Sequence, residues 1–92
     1  MEVCIALNQE GFYSLSGDFN KFTIPDYDRA IRLLFKDQSP SLLDLEKISS
    51  CDSALVALLI SYKHDYPELE LKSIPPQLEK LLSLYNVKEW FN

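Results

Sequence analysis

The chain has 92 residues, room for one domain, and a domain of that size buries roughly 60–65% of the surface its unfolded chain exposes. Hydrophobic residues at 47% and charged residues at 25% match a folded globular domain, and only two glycines with five prolines exclude low-complexity disorder. A formal net charge of −5 excludes sequence-independent binding to nucleic-acid backbones and direct docking on an anionic membrane, and it favours a partner protein with a basic patch.

Residues Glu2 to Leu7, apolar and β-branched, predict a first strand. The turn Asn8-Gln9-Glu10-Gly11 leads into a second strand, Phe12 to Ser16, paired to the first as a hairpin and broken by Gly17-Asp18. A helix follows, with Thr23 as its cap, Pro25 in its first turn and Asp26 near the positive end of the dipole. Its apolar stripe is Tyr27, Ala30, Ile31 and Leu34. The apolar run from Ser41 to Leu45 reads as a short strand buried on both faces. A second helix runs from Asp52-Ser53 to about Tyr66 and stops before Pro67. A strand comes next, over Leu69 to Leu71 or as far as Ile74, and then a third helix opened by Pro75-Pro76 with Leu78, Leu81, Leu82 and Tyr85 on one face. Asn86 suits a left-handed cap, after which Trp90 and Phe91 are expected to fold back on the core.

The order β-β-α-β-α-β-α predicts one α/β domain over residues 1–92, a small mixed β-sheet with helices packed on it through right-handed crossovers. No basic n-region precedes an apolar segment. The longest apolar run, Ala54 to Ile60, is far short of a membrane span. A cytoplasmic protein with no direct membrane insertion is expected. Cys4 and Cys51 read as buried free thiols, and the absence of any CxxC or Cys/His cluster leaves nothing to build a structural zinc site.

The second helix departs from ordinary amphipathic design. At 100° per residue, Leu55, Leu58, Leu59, Tyr62 and Tyr66 fall within one narrow arc, the expected core face. Ser53, Ala57, Ile60 and His64 share the opposite side, flanked by Val56 and Lys63, where a solvated helix would carry Glu, Lys or Gln. This contiguous, sparsely charged strip is the candidate contact surface for a second polypeptide, with Ala54 and Val56 beside it. The competing reading is that Val56 and Ile60 pack beneath the hairpin or the end of the chain. Asp52 is the expected helix cap, with Ser53 at the first helical position.

The run Leu42-Leu43-Asp44-Leu45 followed by Cys51-Asp52-Ser53-Ala54 resembles the STAS domain, a family named for sulfate transporters and anti-sigma factor antagonists. Within that family, Ala57-Leu58-Leu59 and Leu81-Leu82-Ser83-Leu84-Tyr85-Asn86-Val87 look most like the small cytoplasmic STAS subunits of the Mla phospholipid transport system. The resemblance implies a non-catalytic accessory subunit. It would bind the ATPase subunit of an ABC phospholipid transporter, in a complex with a membrane permease and a lipid-binding subunit that maintains outer-membrane lipid asymmetry. The chain would then be cytoplasmic, peripheral to the inner membrane through that complex. Ser53 would lie at the ATPase contact, with Ala54, Val56, Ala57, Ile60 and His64 around it. In the antagonists the serine matching Ser53 is phosphorylated as a switch, which gives the alternative: an anti-sigma factor antagonist switched by phosphorylation of Ser53. Those proteins commonly carry Asp-Ser-Ser-Gly, and here Ala54 and Leu55 replace the second hydroxyl and the glycine.

Catalysis is not expected. His64, the single histidine, stands about 16 Å from Ser53 along the helix axis, too far for a nucleophile and its base. With glycines only at positions 11 and 17 there is no phosphate-cradling loop, and no cofactor or metal is expected.

Overall fold

The computed structural model describes residues 4–91. Its elements are β1 (Ile5–Gln9), β2 (Phe12–Phe19), α1 (Ile24–Asp37), β3 (Leu42–Cys51), α2 (Ser53–Asp65), β4 (Glu70–Lys72), α3 (Pro76–Leu84) and a closing 3-10 turn (Lys88–Phe91). This is the order expected from the sequence. Glu2 and Val3, included in the expected first strand, lie outside the described residues.

The four strands stand in the sheet in chain order, β1-β2-β3-β4. β1 and β2 are antiparallel, while β2–β3 and β3–β4 are parallel. Two right-handed crossovers that advance in the same direction lay α1 and α2 on the same face. Burial agrees: Tyr13, Leu15, Leu43, Leu45 and Ile48 are buried, while their alternating neighbours Phe12, Ser14, Leu42 and Asp44 are half-exposed. The expectation that Ser41 to Leu45 is buried on both faces is therefore corrected. The helices form a single layer, and the far side of the sheet is partly open to water.

β3 is twice as long as expected, ten residues reaching Cys51. The pairing explains why. From Ser14↔Asp44 to Phe19↔Cys51, β2 advances five positions and β3 seven, with register shifts on the way. Each shift is a bulge that resets the in–out alternation. The buried positions Leu43, Leu45, Ile48 and Cys51 thus lose the period of two that marks a strand. β2 likewise runs on through Gly17, whose φ of 103° suits the irregular register there. Gly11, at φ 76°, closes the hairpin. Its carbonyl accepts from Ser41 N (2.7 Å), Leu42 N (3.1 Å) and Ser41 Oγ (3.2 Å), which ties the turn to the start of β3. An added Cβ at Gly11 would stand 2.8 Å from Ser41 Oγ, so the junction depends on glycine twice over.

α1 buries Ile31 and Phe35. The expected stripe is rotated by about one position: Ala30 is exposed, and Phe35 takes the central place because its ring fills the core. Phe35 meets Tyr13 and Tyr62 edge-on, each at 5.2 Å, and Tyr66 at 5.5 Å. Such contacts contribute about 0.5–1.5 kcal/mol apiece beyond burial. Tyr13 OH donates to Gln38 O at 2.6 Å and Leu34 O at 3.2 Å, which ties the ring to the end of α1, where Leu34 O also accepts from Gln38 N at 3.0 Å. The expected side-chain cap at Thr23 is absent. Asn20 does this work one turn earlier: its Oδ1 accepts from Phe22 N (2.8 Å) and Thr23 N (3.1 Å).

Candidate functional site

α2 begins as the sequence predicts. Asp52 is extended (φ −130°, ψ −170°) and its Oδ1 accepts from Ala54 N at 2.8 Å, which satisfies one of the free donors of the first turn. The other carboxylate oxygen accepts from Lys21 N at 3.3 Å, so one side chain joins the helix start to the loop after β2. Ser53 opens the helix and is exposed.

Along α2 the expected core face holds. Leu55, Leu58, Leu59 and Tyr62 are buried, and Tyr66 is partly buried against the core. The opposite side is divided. Ser53, Ala57 and His64 are exposed, and Ala54 is half-exposed. Ile60 is partly buried against the core. Val56 is 3% exposed, so the chain already covers it; it serves as the floor of the site and not as a projecting contact. Tyr85 and Val87 from the C-terminal turn line the same groove as Val56.

Ser53, Val56, Ala57 and Ile60 line one side of a shallow groove of about 360 Å³, and Tyr85 and Val87 line the other. Asn86 makes the second wall possible. At φ 62° it adopts the left-handed cap predicted for it, and Val87 N donates back to Leu82 O at 3.0 Å. Val87 then plugs the core at 8% exposure, while Tyr85 keeps half its surface in solvent. The two wall residues were not among the candidates; the signal for them was the Tyr-Asn-Val run itself. Phe91 folds back on the core as expected, but Trp90 remains 55% exposed. In a four-residue 3-10 turn only one side can face inward, and Phe91 takes it. His64 does not line the groove. Its ring stands one helical turn beyond Ile60, with Nδ1 3.5 Å from Asp65 Oδ1 and the side chain 88% exposed.

A polar clasp fixes the attitude of α2 against α1. Arg32 Nε donates to Asp28 Oδ1 at 2.9 Å, and its two terminal nitrogens donate to Asp65 Oδ2 (2.9 Å) and Ser61 Oγ (2.8 Å). Its guanidinium lies over the Tyr62 ring at 4.9 Å. Tyr62 OH donates to Asp28 Oδ1 at 2.6 Å. Burial pushes the Tyr62 hydroxyl well above its ordinary pKa, and the bond to Asp28 adds to this. The hydrogen bond from Arg32 holds the Asp65 carboxyl below its usual range.

Cys4 and Cys51 are buried free thiols, both pushed up in pKa by burial, Cys51 also by the neighbouring Asp52 carboxylate. Neither has the electropositive setting of a reactive thiolate. Among the described residues no three His, Cys, Asp or Glu side chains gather where a metal ion could sit, and no helix is long and apolar enough to cross a membrane.

No protein-family model matches the chain, and no curated protein matches it in sequence. Its structure is similar to that of the anti-sigma factor antagonist SpoIIAA in its unphosphorylated form. The TM-score is 0.70 at 14% sequence identity, covering 94% of this chain and 82% of that one. The architecture is the STAS-type fold expected from the sequence.

Proposed function

We propose that this chain is a non-catalytic subunit that docks on a partner protein through the outer side of α2 and the C-terminal turn. The observation that carries the reading is the open groove between Ser53–Ala57–Ile60 and Tyr85, on a helix that buries five of its thirteen residues in its own domain. An apolar floor with a small-residue rim lets a partner side chain sit deeply, and the half-buried Ile60 supplies apolar area at the centre.

The partner proposed is the ATPase subunit of an ABC phospholipid transporter that maintains outer-membrane lipid asymmetry. Support for this finer statement comes from the resemblance of Asp52-Ser53-Ala54 and Leu81–Val87 to the small STAS subunits of such systems. The net charge of −5 also suits a basic patch on the partner. In this reading the chain is cytoplasmic and reaches the inner membrane only through the complex. It hydrolyses nothing; hydrolysis belongs to the ATPase. Ile60→Asp places a charge at the centre of the contact and should cost on the order of 2–4 kcal/mol of binding. Co-purification of the variant with the ATPase at wild-type yield, from a folded sample, removes this placement.

A second reading is favoured by the name of the structural neighbour and by the exposed Ser53 at the first position of α2. In it the chain is an anti-sigma factor antagonist switched by phosphorylation of Ser53. A phosphate there would be favoured by the helix dipole and opposed by the Asp52 carboxylate one residue away. Intact-mass measurement after incubation with the cognate anti-sigma kinase separates the two readings: no added phosphate on Ser53 eliminates the second.

A further inference from the structure

We infer that Phe22 is an aromatic anchor of the same partner contact, inserted into an apolar socket on the partner protein; this rests on the α2 docking reading above. Phe22 is 80% exposed, more than any other large apolar side chain described. Its backbone is nevertheless held in place. Asn20 Oδ1 accepts from Phe22 N at 2.8 Å and from Thr23 N at 3.1 Å. Thr23 Oγ1 donates to Asp18 O at 2.6 Å and accepts from Asn20 N at 3.0 Å. Lys21 N donates to Asp52 Oδ2, the carboxylate whose other oxygen caps α2 one residue before Ser53. One side chain therefore fixes both the start of the docking helix and the loop that carries Phe22.

A fixed, solvent-facing ring has little backbone freedom left to lose on docking, and pre-organised aromatics of this kind dominate interface energetics. Lys21 Nζ stands 5.2 Å from the ring centroid, a further restraint on the side chain. The occupant follows from charge. Between residues 18 and 32 three carboxylates, Asp18, Asp26 and Asp28, are balanced by Lys21, Arg29 and Arg32, with Arg29 3.8 Å from Asp26, so the acidic excess is that of the whole chain, −5. The complement is an apolar recess on a protein of opposite overall charge, since an anionic lipid surface would be repelled by the chain as a whole.

The test uses the full chain and the purified ATPase subunit in titration calorimetry. Phe22→Ala should weaken binding at least tenfold with an unchanged thermal midpoint. Leu33→Ala, at the exposed apolar residue of α1, should stay within twofold of wild type. Benzoylphenylalanine placed at position 22 should photo-crosslink to the ATPase. If Ile60→Asp abolishes binding while Phe22→Ala stays within twofold, or if no crosslink forms, the anchor is refuted and the α2 reading stands. If the wild-type chain binds no ATPase, both fall. If Phe22→Ala instead lowers partition onto phosphatidylcholine–phosphatidylglycerol vesicles and leaves ATPase binding intact, Phe22 is a membrane contact and the inference is overturned.

Discussion

α1 and α2 cover the same face of the same sheet, yet their outer sides differ. α1 buries only Ile31 and Phe35, and turns Asp26, Arg29, Lys36 and Asp37 to water. α2 buries five residues in thirteen and has apolar groups in nearly every direction. Most of that difference comes from position. α2 touches α1 on one flank and α3 on the other, with the sheet beneath, so three of its sides belong to the domain's own interior. The lesson is that apolarity around a whole helix does not by itself mark a partner surface. What marks it is the remainder left after neighbours are counted, here Ser53, Ala57 and part of Ile60.

That contrast can be broken first in the core. Leu59→Ala removes a fully buried side chain from the central helix and should cost about 2–5 kcal/mol in urea denaturation. Leu33→Ala, at a residue 60% exposed on α1, should change stability by no more than about 0.5 kcal/mol. Equal costs would mean that the two helices are not differently enclosed.

The clasp between the helices gives a pH-dependent test. The Tyr62 pKa is raised by folding, so its contribution to stability is fully present below its unfolded pKa of about 10 and is lost as pH rises beyond it. Alkaline titration of stability should fall above about pH 10. Tyr62→Phe should make that fall shallower, with burial of Tyr13 supplying part of what remains. An unchanged alkaline slope in the variant would show that Tyr62 ionises as freely in the fold as outside it.

The smallest expected effect on stability separates folding from docking. Ala57→Glu and Leu33→Glu each put a carboxylate on an exposed helix position and should leave stability within about 0.5 kcal/mol. Only Ala57→Glu should abolish partner binding, measured by calorimetry. Equal binding by both variants would leave the α2 strip with no special role.

Much of this architecture is legible in the residues. Asp52 before Ser53 reads as a cap because a carboxylate in extended backbone meets free amide donors, and it does so here. Asn86 reads as a left-handed cap for the same kind of local reason. Local chemistry survives into the fold because few distant contacts compete with it. Features set by distant partners were not legible. The bulges of β3 exist because β2 and β3 differ in length between shared endpoints, which no window of one strand records. The groove beside Val56 depends on where Tyr85 and Val87 land on either side of the Asn86 turn. Thr23 looks like a cap in isolation, but Asn20, three residues earlier, already takes the amides of the turn that leads into the helix.

The coincidence of strand order with chain order bears on how the protein is made. Each strand from β2 onward pairs with the one synthesised just before it, so a new strand finds its neighbour already made. Only the last edge, β4, depends on residues near the C-terminus, and it is three residues long and carries Glu70 and Lys72. During translation the growing margin of the sheet therefore advances one strand at a time while β1 stays as the opposite edge, and the margin at which growth stops is short and charged, a poor template for aggregation.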